Sequence, residues 1–234
     1  MGFIPIFLEV TGKPCLVVGG GEIALRKVRT LVAAGAAPIT VISTETSPAI
    51  AELADADAIR VLGRAYREGD MVGNQLVYAA TGDAELSRRL FEEAARLNIL
   101  INVADSPDYC SFIVPSVIRR GRLQIAISTE GASPALSRNF RQRIETWLGD
   151  ELEVLLEVMA AARNWLKHHE PDGAVRSRKL NALAASDLGD ALRRGDVPGV
   201  ERIIVQCLGC AVGLADLGVQ SLAIRSKTRP GDGA

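Results

Sequence analysis

Short apolar runs alternate along the chain with longer stretches in which apolar residues recur every three or four positions. The runs at 15–18, 39–43, 60–62, 75–80 and 100–104 predict strands. Several are apolar on consecutive residues, the mark of strands covered on both faces. Between them, 23–34 places Ala24, Val28, Leu31 and Val32 on one helical stripe. The stretch 84–97 does the same with Leu86, Leu90, Ala94 and Leu97, and Asp83 stands as its N-cap. Alternation of this kind predicts an α/β fold, a Rossmann-type open parallel sheet.

After about residue 112 the pattern changes. Residues 111–114 and 123–128 read as strands joined through 117–122. A helix starts at Ser133-Pro134, an N-cap followed by proline at the first helical position, and Leu136, Phe140, Ile144 and Leu148 repeat every four residues along it. A further helix at 151–168 carries Leu152, Leu155, Leu156 and Met159 and is ended by Glu170-Pro171-Asp172-Gly173. Two weaker helices are expected around 179–194 and 200–208. The polar, glycine-rich 225–234 predicts a disordered tail. The expected organisation is a Rossmann domain over 1–112, a small α+β region over 113–149, a helical C-terminal domain over 150–224, and the tail.

The 27 Lys+Arg and 28 Asp+Glu of the 234 residues leave a net charge of −1. That balance argues against nucleic acid or an anionic membrane surface as a general partner. An apolar fraction of 48% excludes overall disorder. No apolar run reaches the roughly 18–20 residues of a bilayer span, the start lacks the basic residues of a signal peptide, and Gly2 lacks the Ser/Thr of a myristoylation signal. Cys15, Cys110, Cys207 and Cys210 are scattered in a chain with core enough to need no disulfides, which predicts a reducing, cytoplasmic setting. The only histidines, His168 and His169, are little material for a metal site, and none is expected. Cys207-Leu208-Gly209-Cys210 is a single pair and reads as incidental thiols rather than a metal or redox site.

The sharpest local chemistry is Val18-Gly19-Gly20-Gly21-Glu22-Ile23-Ala24, which fits G-x-G-x-x-A between a strand and an amphipathic helix. Gly19 permits the tight turn, Gly21 lets the backbone approach a pyrophosphate, and Ala24 lets the helix pack closely. The pyrophosphate would lie on the free N–H groups at the helix start. At the end of the second strand Thr44 and Glu45 stand where an acid often binds the ribose. No arginine there serves a 2′-phosphate, so NAD is expected over NADP. Capping of a helix near Pro48 is the competing reading of this stretch. Small residues around Thr81 leave room for a dinucleotide beside the fourth strand, and Asp83 caps the next helix. Asp105 follows the fifth strand on the ligand-binding side of such sheets and is a candidate proton acceptor, although Asp-Ser-Pro is also ordinary turn chemistry. Six arginines between 119 and 143 face one glutamate, a local +5. A solvated helix face explains them; a polyanionic substrate is the sharper alternative.

Taken together, the blocks Pro5-Ile6-Phe7-Leu8, the glycine loop running on to Arg26-Lys27, Ala79-Ala80-Thr81, Asn102-Val103-Ala104-Asp105, Phe112-Ile113-Val114-Pro115-Ser116 and 125–138 resemble one family in order and spacing. It is the precorrin-2 dehydrogenase/sirohydrochlorin ferrochelatase family, and the chain is similar to the N-terminal half of sirohaem synthase from about residue 3 to about residue 149. The resemblance implies NAD-dependent oxidation of precorrin-2 to sirohydrochlorin, with ferrous iron inserted afterwards by many members. It places Gly19, Gly20, Gly21, Glu22, Ile23 and Ala24 on the cofactor, with Thr44, Glu45 and Thr81. It makes Asp105 the catalytic aspartate of both reactions, and Asn102, Ser128 and Arg138 substrate contacts. Thr129 falls where some relatives carry a phosphorylated serine. It also implies an intertwined homodimer built on 113–149. Ala104 replaces the usual valine, and the absence of a methyltransferase domain implies no uroporphyrinogen methylation. Beyond about 170 no motif matches. The alternative function is a non-catalytic NAD-sensing module on the same fold, with Asp105 as a turn residue.

Overall fold

The computed structural model describes residues 2–209 and 212–219. The chain divides into two compact units, the division falling between Val114 and Pro115. The first contains β1 (Cys15–Val18), α1 (Glu22–Ala33), β2 (Ile39–Ile42), α2 (Pro48–Asp55), β3 (Arg60–Leu62), β4 (Leu76–Ala79), α3 (Ala84–Leu97) and β5 (Leu100–Val103). All five strands are parallel, in the order β3-β2-β1-β4-β5. This is a Rossmann-type sheet, and its strand order reverses between β1 and β4. Each strand lies within a residue at either end of its sequence-based position.

The consecutive apolar residues of each strand divide between two cores, as the two-residue strand period requires. Cys15, Val17, Ile39, Val41, Leu76 and Tyr78 face α1 and α2. Leu16, Val18, Ile42, Val77, Ala79, Ile101 and Val103 pack with Leu90 and Ala94 of α3 on the other face. On α1 the buried stripe is Ala24, Leu25, Val28 and Leu31. Leu25 takes the place expected of Val32, which is exposed. Asp83 caps α3 by accepting the Glu85 and Leu86 amides at 3.0 Å each.

The long connection from β3 to β4 is held by buried polar groups. Glu93, on the inner side of α3, accepts the Tyr66 hydroxyl at 2.8 Å and the Gly69 amide at 2.7 Å. Burial and the neighbouring Glu93 push the Tyr66 phenol well above its ordinary pKa. Arg64 grips Asp70 through two hydrogen bonds of 2.6 and 2.8 Å, which hold that carboxyl below its usual range.

The second unit begins with an antiparallel hairpin, β6 (Ser116–Arg120) and β7 (Leu123–Ile127), closed at Gly121 with φ +50°. The expected strand at 111–114 is absent. Ser111 and Phe112 bind back to the first sheet, where the Ser111 amide donates to the Ile101 carbonyl at 2.9 Å and the Phe112 ring meets Tyr78 edge-on at 5.7 Å. The stretch taken as a connection is the strand itself, because Gly121-Arg122 is a two-residue hairpin turn. Helix α4 (Pro134–Trp147) starts at Ser133, whose Oγ accepts the Leu136 amide at 3.2 Å. Then come α5 (Glu151–His169), α6 (Gly173–Ala184), α7 (Leu188–Arg194) and α8 (Val197–Leu208). They share one core of Val154, Val158, Ala162, Leu166, Leu183, Leu192, Ile204 and neighbours. The single helix expected over 179–194 is two. Ser186 turns the chain by donating to the Leu183 carbonyl at 2.7 Å, and α6 starts earlier, capped by Asp172. The tail at 225–234 and Cys210 lie outside the described residues. No described helix is long and apolar enough to cross a membrane.

Glu93→Ala should lower stability by about 2 kcal/mol, because the Tyr66 hydroxyl and the Gly69 amide lose a buried acceptor. Tyr66→Phe should cost about half as much. Urea denaturation of both variants checks the ordering, and equal midpoints for Glu93→Ala and wild type would disprove it.

Candidate functional site

The carboxyl ends of β1, β4 and β5 are tied side by side. The Ala80 amide donates to the Val18 carbonyl at 2.7 Å and the Ala104 amide to the Ala79 carbonyl at 2.8 Å. The glycine loop sits at this edge. Gly19 has φ +119°, and a Cβ there would overlap the Ala80 carbonyl. A Cβ on Gly20 would overlap the Glu45 carbonyl. The Gly20 carbonyl accepts the Ser47 amide at 2.8 Å, fastening the β2–α2 corner to the loop. Gly21 differs, since a Cβ there would meet open space. It precedes α1 in extended conformation, and no side chain among the described residues caps the helix start. Two glycines demanded by close packing, with an open approach to an uncapped helix N-terminus, fit a dinucleotide pyrophosphate. Glu22 is exposed on the first turn, Ile23 half-buried, and Ala24 buried against the sheet.

Thr44 and Glu45 are exposed at the end of β2. Ser43 Oγ donates to the Glu45 carbonyl at 2.6 Å, while the Glu45 carboxylate has no hydrogen-bond partner among the described residues. Ser47 precedes α2, but its hydroxyl makes no cap bond and lies buried without a partner among the described residues. Thr81 is committed locally: its Oγ1 accepts the Asp83 amide at 3.0 Å.

Asp105 is exposed just beyond β5, in the left-handed region at φ +58°, a conformation Asp tolerates better than most residues. Among the described residues its carboxylate accepts no hydrogen bond. A turn at Pro107–Tyr109 follows, and Cys110 braces the loop from inside. The Cys110 sulfur accepts the Val103 amide at 3.2 Å and lies 3.3 Å from the Val103 and Ser106 carbonyls. Burial pushes this thiol up, partly offset by the Val103 hydrogen bond and Lys27. Asn102 is buried, with its amide nitrogen donating to the Phe112 carbonyl at 3.1 Å and lying 3.5 Å from the Cys110 sulfur. Its amide nitrogen helps to hold the loop.

Sequence reasoning passed over Lys27 and Cys110. Lys27 is half-buried, its Nζ 5.0 Å over the Tyr78 ring. The available signal was a lysine set between Ala24 and Val28 on the buried stripe of α1. Ser128 and Arg138 belong to the second unit, and both are exposed. Ser128 Oγ accepts the Glu130 amide at 3.0 Å. Thr129 Oγ1 accepts the Ser133 amide at 3.1 Å and stands 3.1 Å from Ser137 Oγ. Among the described residues no group of three or more His, Cys, Asp and Glu is placed to hold a metal.

A family described as putative NAD(P)-binding matches residues 6–116, and one described as the central part of sirohaem biosynthesis proteins matches 120–146. Together they cover more than half of the chain. Both matches lie in the order in which sirohaem biosynthesis proteins carry them. Siroheme synthase of Methylobacillus flagellatus is 42% identical over 208 residues, covering 89% of this chain and 44% of that protein. Siroheme synthase of Methylococcus capsulatus is 36% identical over 211 residues, 90% of this chain and 44% of that protein. The chain thus spans about half the length of the curated relatives it matches. A solved structure named SirC, precorrin-2 dehydrogenase, shares the fold with a TM-score of 0.69 at 24% identity, covering 86% of this chain and all of that one. The likeness to sirohaem biosynthesis proteins continues past residue 170, beyond the last legible motif. The C-terminal helices carry only the apolar spacing of a core, which many sequences satisfy.

Substitution separates the three glycines of the loop. Gly19→Ala and Gly20→Ala should each lower stability by about 1–3 kcal/mol through overpacking and abolish dinucleotide binding. Gly21→Ala should melt as wild type and still bind NAD poorly. Thermal denaturation beside NAD titration checks this. A Gly21→Ala protein destabilised as much as Gly19→Ala would contradict the assignment.

Proposed function

We propose that the chain oxidises precorrin-2 to sirohydrochlorin with NAD, and that Asp105 is its general base. The observation that carries the proposal is the exposed, unpartnered Asp105 carboxylate two strands from the glycine loop, about 10 Å at ordinary strand spacing. The names of the relatives support the substrate. Cofactor binding is assigned to 1–112, with Gly19 to Ala24 holding the pyrophosphate, Thr44 and Glu45 the adenosine side, and Thr81 the wall beyond β4. When bound, the nicotinamide supplies a hydride acceptor. Asp105 accepts the proton that leaves with oxidation, and its left-handed backbone, braced by Cys110 and Asn102, keeps the carboxylate outward. Asn102 is assigned as a substrate contact at the base of that loop. Ser128 and Arg138 are assigned as further substrate contacts on chemistry alone, a hydroxyl and a guanidinium offered to a polycarboxylate. Ferrous iron is a second substrate in this reading, because its insertion also removes protons, from pyrrole nitrogens. A reducing cytoplasm suits the free thiols of Cys15, Cys110 and Cys207.

Helix α4 favours self-association over 113–149, with 150–224 as a separate helical domain. Leu136 and Phe140 are exposed on it, and Trp147 is 82% exposed. An apolar row of this kind marks an interface. Light scattering should therefore give a homodimer at micromolar concentration, and a monomer would count against that assignment.

The deciding experiment is NADH formation from precorrin-2, with and without ferrous iron. Asparagine fits the left-handed backbone at 105 but cannot take a proton at neutral pH. Asp105→Asn should therefore lose about 10²–10⁴ in rate, stay folded, and bind NAD as wild type does. In both proteins NAD should bind more tightly than NADP, since Glu45 repels a 2′-phosphate. NAD binding without turnover in the wild type would favour the sensing module, and wild-type turnover by Asp105→Asn would return that residue to a turn.

A further inference from the structure

Neither the dinucleotide loop nor the proton transfer at Asp105 uses Lys27. It leaves α1 three residues after Ala24, beside the stripe packed on the sheet. Its ammonium stands over the Tyr78 ring, 5.0 Å from the centroid. Arg64, Arg88, Arg96, Arg141 and Lys179 each have a carboxylate partner. Among the described residues Lys27 has none. Burial, then the neighbouring Arg26 charge, pushes its pKa down, while Cys110 and Asp105 act the other way. Tyr78 pairs in register with Asn102 of β5 and meets Phe112 edge-on, so Lys27 stands beside the segment that carries the Asp105 loop.

A cation drawn partly out of water without an anion is unfavourable, and an aromatic face recovers only part of the loss. A bound carboxylate would complete the balance. The pyrophosphate is the weaker candidate for that anion. It belongs at the start of α1, whereas Lys27 lies six residues beyond Gly21, about 9 Å along the helix axis, on the side of Tyr78 and the Asp105 loop.

We propose that the Lys27 ammonium binds a carboxylate of the anionic substrate whose proton Asp105 takes, anchoring it next to that residue. This assignment rests on the tetrapyrrole reading and adds the group that recognises the substrate's charge on this unit. A lysine serves as a point charge with three donors on a flexible stem, able to follow one substituent of a large ring.

The test titrates sirohydrochlorin into wild type, Lys27→Met and Lys27→Arg, followed by its absorbance, with NAD titrations and thermal midpoints in parallel. Methionine keeps an aliphatic stem over Tyr78. Lys27→Met should bind sirohydrochlorin about ten- to a hundred-fold more weakly, the loss of one charge-assisted hydrogen bond. Its NAD affinity and midpoint should stay at wild-type values, and Lys27→Arg should recover most of the affinity. In turnover the KM for precorrin-2 should rise more than kcat falls. Undiminished sirohydrochlorin binding by Lys27→Met overturns the proposal. So does a loss confined to NAD, which would assign Lys27 to the dinucleotide. If the wild type fails to bind sirohydrochlorin, the tetrapyrrole reading itself falls and takes this inference with it, a result visible before any variant is made.

Discussion

Two backbone carbonyls, those of Ala80 and Glu45, lie where a side chain on Gly19 or Gly20 would have to go. The rest of the first unit is arranged around that closeness. With no Cβ in the way, the Gly19 amide reaches the Ile42 carbonyl at 2.9 Å and the Gly20 carbonyl takes the Ser47 amide. The β1–α1 turn is thereby locked to β2 on one side and packed against β4 on the other. The same edge carries Ala104 against Ala79, so Asp105 begins from a fixed strand end. A bulkier loop would part the strands at the point where their order reverses, the place where open sheets of this kind bind ligands.

Around this edge the polar groups fall into two classes. Several buried or half-buried ones are satisfied: Glu93 by Tyr66 and Gly69, Asn102 by Phe112, and Cys110 by Val103, whereas the buried Ser47 hydroxyl has no partner among the described residues. Each satisfied group would be costly if left alone, and each holds a loop that contributes nothing to the sheet. Among the described residues Asp105 and Lys27 are left without a partner of opposite charge within bonding distance, although Asp105 is exposed and Lys27 only half so. A carboxylate free to accept a proton and an ammonium free to accept an anion are what the proposed reaction on a polycarboxylate would require.

The second unit shows a similar contrast in its apolar residues. Helices α5 to α8 complete a core among themselves, with Val158, Ala162, Leu166 and Ile204 fully enclosed. Helix α4 keeps Leu136, Phe140 and Trp147 in solvent. Its four-residue spacing therefore records an apolar face without recording what covers it.

Hydrophobic pattern located the five parallel strands, α1 and α3, and the Ser133-Pro134 cap located the start of α4, because strand and helix periods and caps are local properties of the chain. The glycine loop was legible for the same reason: G-x-G-x-x-A is a local requirement for a turn, a strand before it and a helix after it. Asp105 could be placed at a strand end, but its left-handed backbone and its lack of partners depend on Cys110 and Asn102 folding beneath the loop. The hairpin was misplaced by a few residues, since Ser111 and Phe112 are strand-like in composition and only the pull of Ile101 and Tyr78 takes them away. The tight seat of Gly20 and the position of Lys27 over Tyr78 were hidden, because each is made by a segment distant in sequence. Sequence by itself determined the elements and the motif, which depend on neighbours along the chain. Tertiary structure decided which polar groups are used up and which are left free, because a partner's distance exists only once the chain has folded.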